Sequence, residues 1–392
     1  MPFAASGAGV RQITKGPKFH WFGYYDKWQF DASSRYVLGN EVTFEHRSPK
    51  GDDEIRVGMV DTGDGDRWTD LGSTKAWNWQ QGCMLQWLPG SRTDVIWNDR
   101  VDGQFVSHVL NVKSGKKRTL AGPVYTVSPD AKQALFPDFR RLNDTRPGYG
   151  YSAVPDPRAD QLTPDDTGIW RLDVGSGKME LILSYAQVAA IPHSYKEAAP
   201  KAGAKHWFNH LLYSPSGKRF IFLHRWRNPG QAGFNTRLFT AGVDGRDLYE
   251  LDPYGKTSHF IWRDEEHILA WAWHPSAGDK FYLYKDKTPQ VDVVGGGVML
   301  VNGHCTYLPG NKWVLNDTYP DKARNQNVYL YEVASGKRVE LGAFPSPPEY
   351  TGEWRCDTHP RFSPDGKKVC IDSPHAGGRQ MFLLDVSPIV RG

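Results

Sequence analysis

The chain has 392 residues, with 48 Lys and Arg against 44 Asp and Glu, so its formal net charge is only +4. It is rich in Gly (40), Pro (27) and aromatic residues (15 Trp, 18 Tyr and 18 Phe), which is typical of many strands joined by tight turns. Its basic residues are dispersed and no apolar run reaches the length of a membrane span, so we expect no nucleic-acid and no membrane partner.

The start of the chain and its cysteines bear on location. The first sixteen residues lack the apolar core of a signal peptide. The four cysteines, Cys83, Cys305, Cys356 and Cys370, form no CxxC pair. We expect a reducing, cytoplasmic location, and a periplasmic or secreted one if a leader has been trimmed from the chain.

One sequence frame, an aromatic or apolar residue followed by a turn and a β-branched run, recurs along the chain. Its turns pair Pro or Asp with Gly, Ser or Asn, residues that tolerate the dihedral angles of hairpin turns. The seven occurrences are FDASSRYVLG (30–39), WLPGSRTDVIW (87–97), VSPDAKQALF (127–136), YSPSGKRFIFL (213–223), WRDEEHILAW (262–271), YLPGNKWVLND (307–317) and FSPDGKKVCID (362–372).

A second hairpin follows each frame, at residues 55–71, 105–120, 168–183, 236–251, 280–294, 327–341 and 379–390. The SGK strings at three of these hairpin tips, with Gly115, Gly177 and Gly336, lack the spacing of a phosphate-binding loop and are turns. Seven units of two hairpins predict an all-β fold, a seven-bladed β-propeller, as a single domain over residues 1–392. The last unit is one strand short, so we expect an N-terminal strand around Val10–Lys15 to complete the last blade and close the ring.

Two stretches interrupt the repeat, at residues 140–166 and 184–208, and the second favours a short helix near Tyr185–Ala190. Long insertions in a compact repeat fold are often binding loops or lids. Surface elaboration or an oligomer contact is the alternative, and the oligomeric state stays open.

Four consecutive units carry His at one register position, four residues before the turn: His210, His259, His304 and His359. The other units have Lys27, Met84 and Val124 there. We expect the four imidazoles to ring one face of the channel and to hold a divalent cation, unless each caps its own blade. Cys356 and Asp357 could add a ligand to the histidines, a thiolate favouring Zn²⁺ and a carboxylate leaving Mn²⁺ open.

The ends of the second strands bring charged residues to the same predicted face. An anionic ligand is expected there, because arginine binds carboxylates in a bidentate manner, although some of these charges will pair with one another. Trp77 and Trp79 are expected to pack in the core. The candidate substrate contacts are Tyr24, Lys27, Gln81, Arg100, His224, Arg225 and Arg227.

The propeller, the HPRFSPDGK motif of the last unit and the registered histidines resemble the oligogalacturonate lyase family of polysaccharide lyases, and also the propeller ulvan lyases. The resemblance implies a divalent metal at the propeller centre. It also implies a His or Tyr that removes the proton α to a uronate carboxylate, an Arg that neutralises this carboxylate, and cleavage by β-elimination.

The resemblance assigns His304 and His359 as metal ligands, and His259 as a further ligand or as the base. Tyr125 and Arg141 resemble the Tyr/Arg pair of the ulvan enzymes, and with His210 they are the candidate catalytic residues. The chain departs from these families at Cys356 and Asp357, where oligogalacturonate lyases have further His and Gln ligands. It also departs at Gln81, which stands where the ulvan enzymes have His.

The sequence therefore predicts a lyase that uses Mn²⁺ or Zn²⁺ and cleaves an acidic, uronate-containing oligosaccharide. Two alternatives remain: a non-catalytic propeller that binds glycan or protein with structural histidines, and a metal-dependent hydrolase or isomerase of a sugar acid.

Overall fold

The structure is a computed structural model and describes residues 9–391, so the first eight residues and Gly392 of the predicted domain lie outside the described residues. Within that range, twenty-eight strands form seven antiparallel sheets of four strands each. The predicted all-β fold, a seven-bladed β-propeller, is confirmed.

The strands follow the repeat frames in order. Blades one to three contain β2 (Phe19–Trp21), β3 (Tyr36–Val42), β4 (Ile55–Asp61) and β5 (Arg67–Thr74), then β6 (Gln86–Trp87), β7 (Asp94–Val101), β8 (Gln104–Asn111) and β9 (Lys117–Leu120), then β10 (Thr126–Val127), β11 (Gln133–Pro137), β12 (Gly168–Asp173) and β13 (Met179–Ser184). Blades four and five contain β14 (Lys205–Tyr213), β15 (Arg219–Arg227), β16 (Asn235–Gly242) and β17 (Tyr249–Gly255), then β18 (Phe260–Trp262), β19 (His267–His274), β20 (Gly278–Lys285) and β21 (Val291–Val294). Blades six and seven contain β22 (Thr306–Tyr307), β23 (Trp313–Asp317), β24 (Asn325–Glu332) and β25 (Arg338–Pro345), then β26 (Arg361–Phe362), β27 (Lys368–Ser373) and β28 (Gln380–Asp385).

The last blade takes its fourth strand from the start of the chain. Strand β1 (Gly9–Gln12) pairs antiparallel with β28, with Gly9 opposite Asp385 and Gln12 opposite Phe382. The last sheet therefore has four hydrogen-bonded strands, in the order β1-β28-β27-β26.

The seven blades divide into two compact units. The first unit holds blades one, two, six and seven, up to Leu120 and from Gly303 onward, and the second unit, Ala121–Asn302, holds blades three, four and five. In the first unit, Trp77 and Trp79 are buried in the hydrophobic core with Trp21, as the sequence predicted. The indole N–H groups of Trp77 and Trp79 donate to main-chain carbonyls, so these two rings are buried without an unpaired donor.

Both insertions belong to the second unit and begin as short helices. Helix α1 (Phe139–Thr145) is N-capped by Asp138, and α2 (Tyr185–Ala189) starts with a capping box between Ser184 and Gln187. The described residues also contain two 3₁₀ turns, at Lys196–Ala198 and Gly352–Trp354, and the C-terminal helix α3 (Ser387–Val390). None of the described helices is long and apolar enough to cross a membrane.

Candidate metal centre and substrate-binding residues

Three buried side chains of the first unit converge: His304, Asp357 and His359. One ligand atom from each lies within 4.8 Å of the others. The two imidazole rings meet edge to face, with centroids 4.2 Å apart, and Asp357 Oδ2 lies 3.9 Å from His359 Nε2. Two imidazoles and one carboxylate are a donor set suited to a divalent transition metal.

Asp317, at the end of β23, supports both histidines of this cluster. Its carboxylate accepts hydrogen bonds from the main-chain N–H and Nδ1 of His304, at 2.7 and 2.9 Å. It also accepts from Thr358 Oγ1 at 2.6 Å and from the N–H of His359 at 3.1 Å. A carboxylate that accepts from Nδ1 fixes the proton there, so the lone pair of His304 is on Nε2. Burial would raise the pKa of Asp317, but its electrostatic interaction and hydrogen bonds with His304 hold it below its usual value.

A buried ion pair anchors His359, the histidine of the last blade. His359 has φ +39°, a conformation that is uncommon outside glycine. Its carbonyl accepts a hydrogen bond from Arg361, which pairs with Asp372 at 2.8 Å. Asp372 also accepts from the N–H groups of Phe22 and Gly23, at 3.1 and 3.3 Å. One ion pair therefore holds both the backbone of His359 and the loop that starts at Phe22.

This loop places two aromatic residues against the two histidines of the candidate metal centre. The ring of Tyr24 lies 5.3 Å from that of His359, and the ring of Tyr25 lies 5.4 Å from that of His304. Tyr24 was predicted as a substrate contact, and the structure brings it to the candidate metal centre. Both tyrosines are buried against the imidazoles, which limits the rotation of the rings.

Gln81 and Lys27 are also close in the fold to this loop. A Cβ on Gly23, which has φ +119°, would lie 2.7 Å from the carbonyl carbon of Gln81, so only glycine allows this approach. The Lys27 ammonium lies 3.0 Å from Asp26, and its side chain is 2% exposed. Burial lowers the pKa of Lys27, and the Asp26 carboxylate opposes that shift. Both predicted contacts are thus buried residues of the first unit.

The segment before His359 is fixed from three sides. Arg355 Nε donates to Asp357 Oδ2 at 2.8 Å, which orients the carboxylate. Gln80 Nε2 donates to the Arg355 carbonyl at 3.0 Å, and Arg379 Nη2 donates to the Trp354 carbonyl at 2.8 Å. The carboxylate ligand therefore sits on a main chain that is held before any ion binds.

Cys356 does not join the cluster, contrary to its prediction as a metal ligand. It is 1% exposed, and burial raises the pKa of its thiol far above the usual value, so the sulfur stays protonated. Its carbonyl accepts a hydrogen bond from Gln326 Nε2 at 2.9 Å. Cys356 is therefore a packing residue of the core.

His259 and His210 belong to the second unit and are not among the clustered ligand atoms. His259 Nδ1 lies 3.0 Å from Asn302 Oδ1, and Asn302 Nδ2 donates to Ser258 Oγ at 3.1 Å. With the amide so oriented, Nδ1 of His259 donates to Asn302 Oδ1. His210 is fully buried, has φ +52° and stacks on Phe260 with ring centroids 3.9 Å apart.

Arg141 has a structural role, which corrects its prediction as the group that neutralises a carboxylate. The guanidinium is fully buried beneath the ring of Tyr185. Its N–H groups donate to the carbonyls of His206, Arg158, Gln161 and Leu162 and to the carboxylate of Asp156. All five donors are used, so none is left for a substrate. Tyr125, its predicted partner, is buried with its ring 6.2 Å from that of Phe139 and 6.4 Å from that of His210.

His224 also turns out to be structural. It is 0% exposed, its Nε2 lies 2.8 Å from Nδ1 of His206, and its Nδ1 accepts from Arg237 Nε at 3.0 Å. Both ring nitrogens are therefore taken. Arg237 Nη1 in turn donates to Glu250 Oε1 at 2.8 Å, so His206, His224, Arg237 and Glu250 form one polar network of blade four.

The other predicted arginines lie at strand ends. Arg100, at the end of β7, donates to the carbonyl of Gly51 and lies 3.3 Å from Asp52. These contacts hold the loop between β3 and β4. Arg225 and Arg227 lie at the end of β15, beside Phe234 and Trp207. Arg100 therefore binds a neighbouring loop, whereas Arg225 and Arg227 each lie beside an aromatic ring.

Four residues that hold these side chains in place were not singled out from the sequence: Asp317, Asp372, Arg361 and Asn302. Asp317 and Asp372 lie at the ends of second strands, β23 and β27. The available signal for Asp317 was its position thirteen residues after His304, at the far end of the hairpin that starts there. Arg361 and Asn302 have no such signal, because their roles depend on contacts between distant segments.

Comparison with known proteins places the fold. No protein-family model and no curated protein matches the sequence. An oligogalacturonate lyase solved in complex with manganese is similar over 98% of this chain and 95% of its own, with 14% identity and a TM-score of 0.71. The oligogalacturonate lyase of Vibrio parahaemolyticus is similar over 98% and 96%, with 12% identity and a TM-score of 0.68. The β-propeller domain of the trilobed protease of Pyrococcus furiosus is similar over 93% and 96%, with 11% identity and a TM-score of 0.52.

At identities this low, the likeness establishes the fold alone. The resemblance to oligogalacturonate lyases that the sequence predicted is confirmed at that level, over nearly the whole chain, while the resemblance to ulvan lyases stays a prediction. The chain has the fold of the oligogalacturonate lyases.

Proposed function

We propose that the protein is a metal-dependent lyase that cleaves a uronate-containing oligosaccharide by β-elimination. The observation that supports this most is the buried group of His304, Asp357 and His359, in a chain that shares its fold with oligogalacturonate lyases. The manganese of the first of those structures supports a divalent cation here as well.

The three residues fit such a cation by their chemistry. Nε2 of His304 bears the lone pair because Nδ1 donates to Asp317, and Asp357 is oriented by Arg355. With no thiolate in the group, the donor set accepts Mn²⁺ and Zn²⁺ alike. When bound, the cation supplies positive charge that neutralises a substrate carboxylate.

β-Elimination then needs a group that accepts the proton α to the carboxylate. The C–H electrons form the new C=C bond, the glycosidic C–O bond breaks, and the leaving oxygen takes up a proton. We assign the first proton transfer to His259, because it shares its register position with His304 and His359 in the sequence. In the second unit, its Nδ1 lies 3.0 Å from Asn302 Oδ1.

The test is the appearance of unsaturated uronate. We expect ultraviolet absorbance to rise when the protein is incubated with oligogalacturonate, ulvan or glucuronan fragments and either Mn²⁺ or Zn²⁺. The product masses should sum to that of the substrate, whereas hydrolysis would add one water. If no uronic glycan gives the signal with either metal, the proposed function is wrong.

A further inference from the structure

Three arginines of the second unit gather around two aromatic rings at one end of blade four. Arg146 caps helix α1, and Arg225 and Arg227 lie on β15. The guanidinium carbons of Arg146 and Arg225 lie 4.6 and 4.7 Å from the centre of the Phe234 ring, and that of Arg227 lies 5.5 Å from the Trp207 ring. The rings of Phe234 and Trp207 are themselves 5.6 Å apart. We call these three arginines the arginine cluster.

The cluster is held in place before any ligand arrives. Arg227 donates from Nε to the carbonyl of Gly233 at 3.3 Å and from Nη2 to the carbonyl of Thr145 at 3.1 Å. Arg225 donates from Nε to Thr236 Oγ1 at 3.3 Å. Cation–π contacts and these bonds restrict the long side chains, so a ligand would lose less entropy on binding.

The positive charges of Arg146 and Arg227 are not balanced by nearby acids. Across residues 9–391, no carboxylate lies within salt-bridge distance of Arg146 or Arg227, and the neighbouring Asp144 pairs with Lys205 instead. Arg146 Nε is buried, and the described residues offer it no hydrogen-bond acceptor. A buried donor without an acceptor is unfavourable and calls for a ligand or solvent partner. Arg146 and Arg227 are each partly exposed as residues, so a ligand can reach the exposed part of both side chains.

The register of the sheet sets where the cluster lies within blade four. Arg225 is opposite Trp207 and Arg227 is opposite Lys205 in the β14–β15 pair. The bulge that carries His210 begins two residues after Trp207 on the same strand. The arginine cluster therefore lies at the start of β14, and His210 follows further along that strand.

We propose that the arginine cluster binds an acidic group of a glycan, a uronate carboxylate. The planar guanidinium fork matches the two oxygens of a carboxylate. A sulfate ester on a sugar would present the same chemistry and is the other source of such a charge. The choice of uronate rests on the proposed function, whereas the anion site rests on the cluster alone.

The test measures binding without turnover. Trigalacturonate is titrated calorimetrically into the full chain in EDTA, comparing the unchanged protein with Arg146→Met/Arg227→Met. We expect the Kd to rise at least tenfold in the double variant and the salt dependence of binding to weaken. Arg246→Met is the matched control, because Arg246 is an exposed arginine with its side chain 88% accessible, and it should leave the Kd unchanged. Fully methyl-esterified trigalacturonate should bind at least tenfold more weakly than the acid.

A second double variant guards against misfolding. Arg146→Lys/Arg227→Lys keeps the charge but loses the fork, so we expect an intermediate Kd from a protein with unchanged circular dichroism. Equal binding of trigalacturonate by the unchanged protein and the Met variant overturns the proposal, and so does a lack of binding by the unchanged protein.

Sulfated carrageenan oligosaccharide forms the remaining arm. If it binds in a cluster-dependent manner and trigalacturonate does not, the site is specific for sulfate and the uronate assignment is overturned. Failure of the elimination assay with a normal binding result would overturn only the proposed function. Normal elimination with equal binding by the Met variant would overturn only the arginine cluster as a carboxylate site.

Discussion

Asp317 accepts hydrogen bonds from both the main-chain N–H and the Nδ1 of His304, at 2.7 and 2.9 Å, and so fixes the position and the tautomer of one residue together. The same carboxylate reaches the N–H of His359 at 3.1 Å. Since the two histidines come from different blades, a single buried acid sets the distance between them. Such an arrangement prepares the donor atoms before an ion is bound.

Replacing this acid should weaken metal binding without removing a ligand. In Asp317→Asn, an amide N–H₂ group competes with the His304 donor, so the ring loses its fixed tautomer. We expect the affinity for Mn²⁺ or Zn²⁺, measured by calorimetry, to fall by about 10–100-fold. Asp61→Asn is the control, since Asp61 is also buried in the first unit but pairs with Arg35. An equal loss in both variants would mean a general effect on folding.

The two neighbouring candidates before His359 should behave differently. Asp357→Asn should abolish stoichiometric metal in the purified protein, because it removes a ligand oxygen. Cys356→Ser should keep its metal, since the thiol is protonated and lies outside the ligand group. Elemental analysis after dialysis against Mn²⁺ or Zn²⁺ decides between them, with His304→Ala/His359→Ala as the metal-free reference. Metal loss from the serine variant would restore Cys356 as a ligand.

The repeat predicted most of the fold and part of the site. Turn residues and β-branched runs determine hairpins locally, so the blades could be predicted from the sequence. The shared register position of His304 and His359 predicted that these two histidines lie together. Cys356 was misjudged because closeness in sequence says little about direction: successive side chains of an extended chain point to opposite sides, and Asp357 is two residues from His359 while Cys356 is three. Arg141 was misjudged because four of its acceptors come from the insertion at 140–166 and the fifth from His206 on β14, and the sequence does not reveal that these segments meet.

The Arg361–Asp372 pair should be important for stability as well as for the site. Both side chains are 1% exposed, so Arg361→Met leaves a buried carboxylate with its main partner gone. We expect the free energy of unfolding, measured in urea, to fall by about 3–5 kcal/mol. Adding Asp372→Asn removes the unpaired charge and should recover part of that loss.

A surface pair gives the comparison for that variant. Arg56 pairs with Asp70, but the two side chains are 43% and 44% exposed, and water replaces the lost interaction. Arg56→Met should therefore shift the urea midpoint far less than Arg361→Met. Equal shifts would show that the Arg361 ion pair has no special role in the fold.

The buried histidines of blade four should make the protein sensitive to mild acid. Burial, followed by the charge of Arg237, lowers the pKa of His206 to about 4 and that of His224 well below its usual value. The unfolded chain takes up protons near pH 6.5, before the folded one does, so stability is complete above pH 6.5 and is lost as the pH falls toward 4. A shift from 6.5 to about 4 corresponds to about 3 kcal/mol for His206.

His206→Gln should flatten this pH dependence, because glutamine keeps a polar partner for His224 but does not titrate. The measurement is the free energy of unfolding in urea at half-unit steps from pH 8 to pH 4.5, for both proteins. We expect the variant to be the less stable protein at pH 8, where a packed ring has been lost, and the difference to narrow or reverse below pH 6. Parallel curves over the whole range would show that His206 is not buried as a neutral imidazole, because a ring that titrates alike in the folded and unfolded chains contributes no slope.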